Sequence, residues 1–94
     1  MDANEVNRSL KRHIVDTLLH GDESELDDDT PLLELGVIDS LAMVGLLAFL
    51  TSEFGVRVPD REVSPRNFAS LAALTRLVVR ELAARDANEG GEHA

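Results

Sequence analysis

Gly36-Val37-Ile38-Asp39-Ser40-Leu41-Ala42-Met43-Val44-Gly45-Leu46-Leu47-Ala48-Phe49-Leu50 is the stretch on which the reading of this chain turns. From Leu41 to Leu50 there is no polar side chain. Asp39 or Ser40 supplies the helix start, because a short polar side chain there can accept an otherwise unpaired first-turn N–H. Gly55, just after Phe54, supplies the stop. As a helix, residues 41–50 reach only about 15 Å, half of the roughly 30 Å needed to cross a bilayer, so the segment is not a membrane span. It is a central helix that is apolar nearly all round. That is more than one core face requires, so part of it lies under a neighbouring loop or forms a contact surface for another protein.

Other helical signals flank it. Val6, Leu10, Ile14 and Leu18 recur at i, i+4 with Leu19 beside them, which predicts a helix over about residues 3–20. Asp2 and Glu5 mark its start in the manner of a capping box, and Gly21 suits its C-terminal cap. From Gly21 to Asp39 runs a long connection without helical period, a length that in a compact domain usually serves function. Thr30 and Pro31 predict a short helical turn around Leu32 to Leu35. The apolar residues Leu32, Leu33, Leu35, Val37 and Ile38 are expected to lie across the helices and cover core.

Ser64-Pro65 starts a short third helix, and Ser70 caps a last one in which Leu71, Leu74, Leu77, Val78 and Leu82 repeat at threes and fours. Arg80 and Arg85 are expected near its C-terminal end, where cations suit the helix dipole. Strand signals are nearly absent. The expected fold is all-α, a four-helix bundle with a long loop between the first two helices and a short third helix. Residues 1–85 form the domain, and the polar stretch 86–94 is expected to be a disordered tail.

Composition narrows the function. Ninety-four residues make one small domain with no room for a second core. With no Trp or Tyr and three Phe, the core is built from Leu, Val, Ile and Ala, leaving few positions for a deep catalytic cavity. A net charge of −9 argues against binding nucleic acid. The absence of cysteine excludes disulfides, thiolate metal sites and a cysteine nucleophile. All of the net charge lies between Gly21 and Phe54, a stretch without Lys or Arg. Asp22, Glu23, Glu25, Asp27, Asp28 and Asp29 read either as a solvated acidic loop or as an electrostatic guide for a basic partner. They lack the alternating Asp, central Gly and closing Glu of a calcium loop, so no metal site is read. The mixed-charge start from Asp2 to Arg12 lacks the features of a signal peptide, and the expected location is the cytoplasm.

The junction Asp39-Ser40 carries the chemistry. As structure alone, it is a helix cap. It is also a place where unpaired N–H groups and the positive end of the dipole can hold a covalently attached phosphodiester. Here the chain resembles the acyl and peptidyl carrier proteins. The resemblance covers residues 5–84, through Leu-Leu-Glu-Leu-Gly-Val-Ile-Asp-Ser-Leu at 32–41, Glu-Phe-Gly at 53–55, and Phe68-Ala-Ser-Leu71 opening the last helix.

The resemblance implies that Ser40 is esterified with 4′-phosphopantetheine from coenzyme A by a phosphopantetheinyl transferase. It also implies a right-handed four-helix bundle that performs no catalysis and carries an acyl or aminoacyl group as a thioester. Asp39 fixes the helix start. Leu41 either points outward as a contact for partner enzymes, as the resemblance implies, or packs under Val37 and Ile38. The implied partners are an acyl- or aminoacyl-loading enzyme and downstream ketosynthase, condensation or tailoring enzymes, met by a monomer.

The chain departs from the fatty-acid carriers after the serine. Those carriers place acids where Ala42 and Gly45 stand here, so the expected class is the discrete carriers of polyketide or nonribosomal peptide pathways. Gly45 is read either as a close approach for another surface or as close packing inside the bundle. Partner contact is expected to rest on Leu41, Met43 and Phe49. Two alternatives have other chemistry. A serine hydrolase is opposed by the absence of a G-x-S-x-G elbow and by histidines only at 13, 20 and 93, of which His13 reads as a surface or boundary residue. A small interaction module with an unmodified serine cap is the second.

Overall fold

The computed structural model describes residues 2–21 and 26–92, with side chains through Asp86. Asp22, Glu23 and Glu25 of the acidic run and His93 lie outside the described residues. The order is α1 (Ala3–Leu18), α2 (Ser40–Phe54), a 3₁₀ turn (Asp60–Glu62), α3 (Pro65–Phe68) and α4 (Leu71–Glu92), with no strand among the described residues. This is the expected all-α four-helix architecture, with the long loop after α1 and a single-turn α3.

The apolar periodicities meet in one core. Val6, Leu10 and Ile14 of α1, Leu46 and Leu50 of α2, and Leu71, Leu74, Leu77 and Val78 of α4 are almost completely buried around Phe68 of α3. The Asp2 carboxylate accepts the Glu5 N–H at 2.8 Å, and the Ser70 hydroxyl accepts that of Ala73 at 3.1 Å, so both expected caps form. Ser64 stands at the N-cap of α3 without a side-chain cap bond. The short helix is held instead by Asn67, whose amide donates to the Glu62 carbonyl and carboxylate at 2.7 and 2.9 Å.

Two helix ends differ from expectation. α1 stops at Leu18, because His20 takes a left-handed φ of 54° before Gly21 does the same at 84°. α4 continues as helical backbone to Glu92, into the stretch expected to be a tail. Arg80 and Arg85 therefore stand short of that end and reach to other elements. Arg80 pairs with Glu62 at 3.2 Å, and Arg85 donates to the Phe54 carbonyl at 3.0 Å, where α2 ends. Gly55, with φ 68°, completes that end, and a Cβ on it would lie 2.7 Å from the Arg85 guanidinium.

Between α1 and α2 the His13 ring stacks on Phe49 at a centroid distance of 3.8 Å, and Phe49 meets Phe54 edge-on at 5.8 Å. The expected boundary histidine is thus a packing residue. Burial lowers the His13 pKa from its ordinary 6.5, with the Asp16 charge opposing the shift.

Arg85→Ala removes a charged donor from the part-buried Phe54 carbonyl at the end of α2 and is expected to cost about 1 kcal/mol, measured as a lower urea midpoint. The depressed His13 pKa means that the unfolded chain binds the proton more readily than the folded one. Stability is therefore expected to be full above pH 6.5 and to be lost as pH falls through 6.5 toward the lower folded value. Urea titrations across that range are expected to show a flatter dependence in His13→Gln.

Candidate functional site

The candidate site is the junction of the long loop with α2, and the loop positions it through one residue. The Leu32 side chain is fully buried, and its N–H donates to the Ala69 carbonyl between α3 and α4 at 2.8 Å. Its carbonyl accepts from both Val37 and Ile38, at 2.9 and 3.2 Å. The expected helical turn forms here, with Leu35 N–H on the Pro31 carbonyl at 3.0 Å, and Gly36 leaves it with φ 75°. Leu26 and Ile38 are buried with Leu32, while Leu33 and Val37 are half-buried. Leu35 is the exception, 64% exposed.

The acidic half of the loop is pinned as well. The Asp28 carbonyl accepts the Ala72 N–H at the start of α4, and its carboxylate accepts from Asn7 of α1 at 3.0 Å. Asp27 accepts from the Asp29 N–H at 2.9 Å and exchanges bonds with Thr30. Part of the acidic run is thus loop structure.

At the end of this loop Asp39 is extended, and its carboxylate accepts the Ala42 N–H at 2.8 Å. Its carbonyl accepts the Met43 N–H at 2.8 Å. Asp39 is therefore the cap, and Ser40 is the first residue of α2. The Ser40 side chain is exposed and makes no hydrogen bond to any described residue. The N–H groups of Ser40 and Leu41 are likewise left open among the described residues, and the first turn of α2 carries no acidic side chain. An anion bonded to the Ser40 oxygen would meet open donors and the positive helix end, an arrangement that favours negative charge by about 0.3–1 kcal/mol.

Around Ser40 the apolar helix divides. Leu46, Leu50 and Phe54 face the core, while Met43, Leu47 and Phe49 are half-buried. Leu41 is 82% exposed and Val44 66% exposed, so Leu41 points outward and does not pack under the loop. The outward apolar stripe is Leu41, Val44 and Ala48, in place of the expected Leu41, Met43 and Phe49. Val44 was missed, although its spacing from Leu41 is that of one helix face. A Cβ on Gly45 would meet nothing within 4 Å, so close packing inside the bundle does not explain this glycine.

Among the described residues no cluster of His, Asp or Glu could hold a metal, and no helix is long and apolar enough to cross a membrane. A small bundle that presents an exposed hydroxyl at a helix start, open first-turn donors and an apolar stripe alongside has the room and the polarity for a covalently attached phosphate-bearing group. Residues 9–78 match the family described as the phosphopantetheine attachment site, and the chain belongs to that family of carrier proteins. It carries covalent 4′-phosphopantetheine and is not itself a catalyst.

The "Probable acyl carrier protein PigG" of Serratia sp. (strain ATCC 39006) is 39% identical over 71 residues, which cover 76% of this chain and 82% of that one. "Aminoacyl carrier protein 1" of Bradyrhizobium diazoefficiens is 36% identical over 58 residues, covering 58% of this chain and 63% of that one. A solved structure titled "Crystal structure of FAD-dependent dehydrogenase" contains a chain that superposes with a TM-score of 0.69 at 43% identity. The match covers 73% of this chain and 97% of that one.

The division of labour between Asp39 and Ser40 is directly testable by thermal or urea unfolding. Asp39→Ala is expected to cost about 1 kcal/mol as a lost cap. Ser40→Ala is expected to stay within about 0.5 kcal/mol of the parent.

Proposed function

We propose that Ser40 is the attachment residue, with Asp39 fixing the first turn of α2 and Leu41, joined by Val44, forming the apolar contact for partner enzymes. The observation that carries this reading is that Asp39 makes the cap bond, which leaves the Ser40 hydroxyl exposed and unbonded at the helix start. In the transfer, the Ser40 oxygen bonds to the phosphorus that bears the pantetheine, and the pyrophosphate bond of coenzyme A breaks. Adenosine 3′,5′-bisphosphate leaves, and the hydroxyl proton is released. The unmodified-cap alternative loses its support, because the serine caps nothing.

The arm's thiol then holds an acyl or aminoacyl group as a thioester, and the cofactor supplies that chemistry. The partners we assign are a phosphopantetheinyl transferase, an acyl- or aminoacyl-loading enzyme, and downstream ketosynthase, condensation or tailoring enzymes. The names of the relatives support a discrete carrier of a secondary pathway of the polyketide or nonribosomal peptide kind. The solved structure's title names an FAD-dependent dehydrogenase, which supports an enzyme of that class among the tailoring partners. The carrier acts as a monomer in the cytoplasm. Residues 1–85 are the carrier domain, closed by the Arg85 contact with the end of α2, and 86–94 are appended to it.

Incubation with coenzyme A and a broad-specificity phosphopantetheinyl transferase is expected to add one phosphopantetheine to the intact mass of the protein and none to Ser40→Ala. A folded wild-type protein that gains no mass beside an active transferase sinks this reading.

A further inference from the structure

The bases of this chain are placed as unevenly as its acids. Between Val56 and Arg80 stand five arginines against two acids, Asp60 and Glu62, in a protein whose net charge is −9. Three of those arginines come together. A cavity of about 440 Å³ between the 3₁₀ turn, α3 and α4 is lined by Arg61, Arg66 and Arg80, with Glu62, Ser64 and Asn67 among them. Arg76 stands one turn before Arg80 on α4, an i, i+4 pair of like charges that works against the helix carrying it.

One wall of this cavity is already settled. The Glu62 carboxylate accepts from Arg80 at 3.2 Å and from Asn67 at 2.9 Å, and the Asn67 amide also donates to the Glu62 carbonyl. Arg80 is thereby oriented and its charge answered. Arg61 and Arg66 differ, since both are exposed and neither bonds to any described residue. The Ser64 hydroxyl likewise has no partner among the described residues, because it makes no cap bond to α3. The cavity therefore offers two unspent guanidinium groups and a hydroxyl, while its one carboxylate is in use.

We propose that this face docks an acidic segment of a partner protein, with an Asp or Glu side chain entering the cavity against Arg61 and Arg66. A guanidinium presents its donors as a planar fork that matches the two oxygens of a carboxylate. The Ser64 hydroxyl supplies a further donor. The charge of the rest of the chain selects the class of anion. A nucleic acid would bring a continuous run of phosphates against a protein of net charge −9, whereas a protein segment brings a few carboxylates to the patch alone. The face belongs to the 3₁₀ turn, α3 and α4, which contribute neither Ser40 nor the stripe of Leu41 and Val44. It is thus a second contact, and it holds whichever residue bears the arm.

The test titrates the full ¹⁵N-labelled chain with hexaglutamate at low ionic strength and follows the backbone amide and arginine Nε–H resonances. Shifts concentrated at Arg61, Ser64, Arg66 and Arg80 are expected, and raising the salt to about 0.5 M should remove them. Arg61→Gln with Arg66→Gln should weaken binding about tenfold, while Arg8→Gln with Arg12→Gln, which removes the same charge from α1, should leave it within about twofold. Circular-dichroism melts show whether both variants are folded, and the wild-type shift map decides without them if either is not. Shifts as large at Arg8, Lys11 and Arg12 as at the cavity, equal weakening by the two double variants, or no shifts at all overturn the proposal. Tighter binding of a six-nucleotide oligothymidylate than of hexaglutamate at the same residues overturns it too, and assigns the patch to phosphates.

Discussion

The geometry of this carrier hangs on Leu32. Its side chain is sealed in the core, its N–H is spent on the Ala69 carbonyl, and its own carbonyl gathers the N–H groups of Val37 and Ile38. A loop between helices would ordinarily be free to wander, since its backbone groups can bond to water as readily as to protein. Here one residue ties the loop simultaneously to the α3–α4 junction and to the entry of α2. Gly36, in the left-handed region, lets the chain turn tightly enough for both ties to hold. Asp39 then fixes where α2 begins, and the position of Ser40 follows.

From that anchor α2 divides its apolar surface three ways. Leu46, Leu50 and Phe54 serve the core, Phe49 and His13 join α2 to α1, and Leu41 and Val44 stand in solvent. The acidic loop contributes bonds to the scaffold through Asp27 and Asp28. A first turn of α2 without acids sets no like charge from its own helix beside a phosphate other than that of Asp39. Fold and site are therefore one construction, in which the same capping bond that starts the helix frees the serine next to it.

Much of this was legible because it is local. The stripe of Val6, Leu10 and Ile14, the caps at Asp2 and Ser70, and the Gly55 stop each depend on residues within one turn of one another, and all of them form. Asp39 and Ser40 were legible as a pair but not in their division of roles, since either side chain can accept the first-turn N–H. What escaped the sequence depends on long-range packing or on helix azimuth. His20 joins Gly21 in the left-handed conformation expected of the glycine, and Arg85 reaches across to another helix. Phe49 looked like a contact residue until the ring of His13 covered it, whereas Val44 gave no sign of its exposure because every neighbour in 41–50 is equally apolar. Asp28 looked like solvated charge because its partners Asn7 and Ala72 lie elsewhere in the chain, whereas Asp27 bonds only its neighbours Asp29 and Thr30 among the described residues.

As the proposed partner contact, the outward stripe of Leu41 and Val44 also sets the thermodynamic character of the carrier's encounters. A partner that covers these side chains removes apolar surface from water, a process with little enthalpy near room temperature and a negative heat-capacity change. Such a grip is entropic in origin, weakens on cooling and is little affected by counterions. A carrier that must be released by one enzyme before it can visit the next gains from a contact this small, because brief residence costs it nothing in specificity that the tethered group does not already provide.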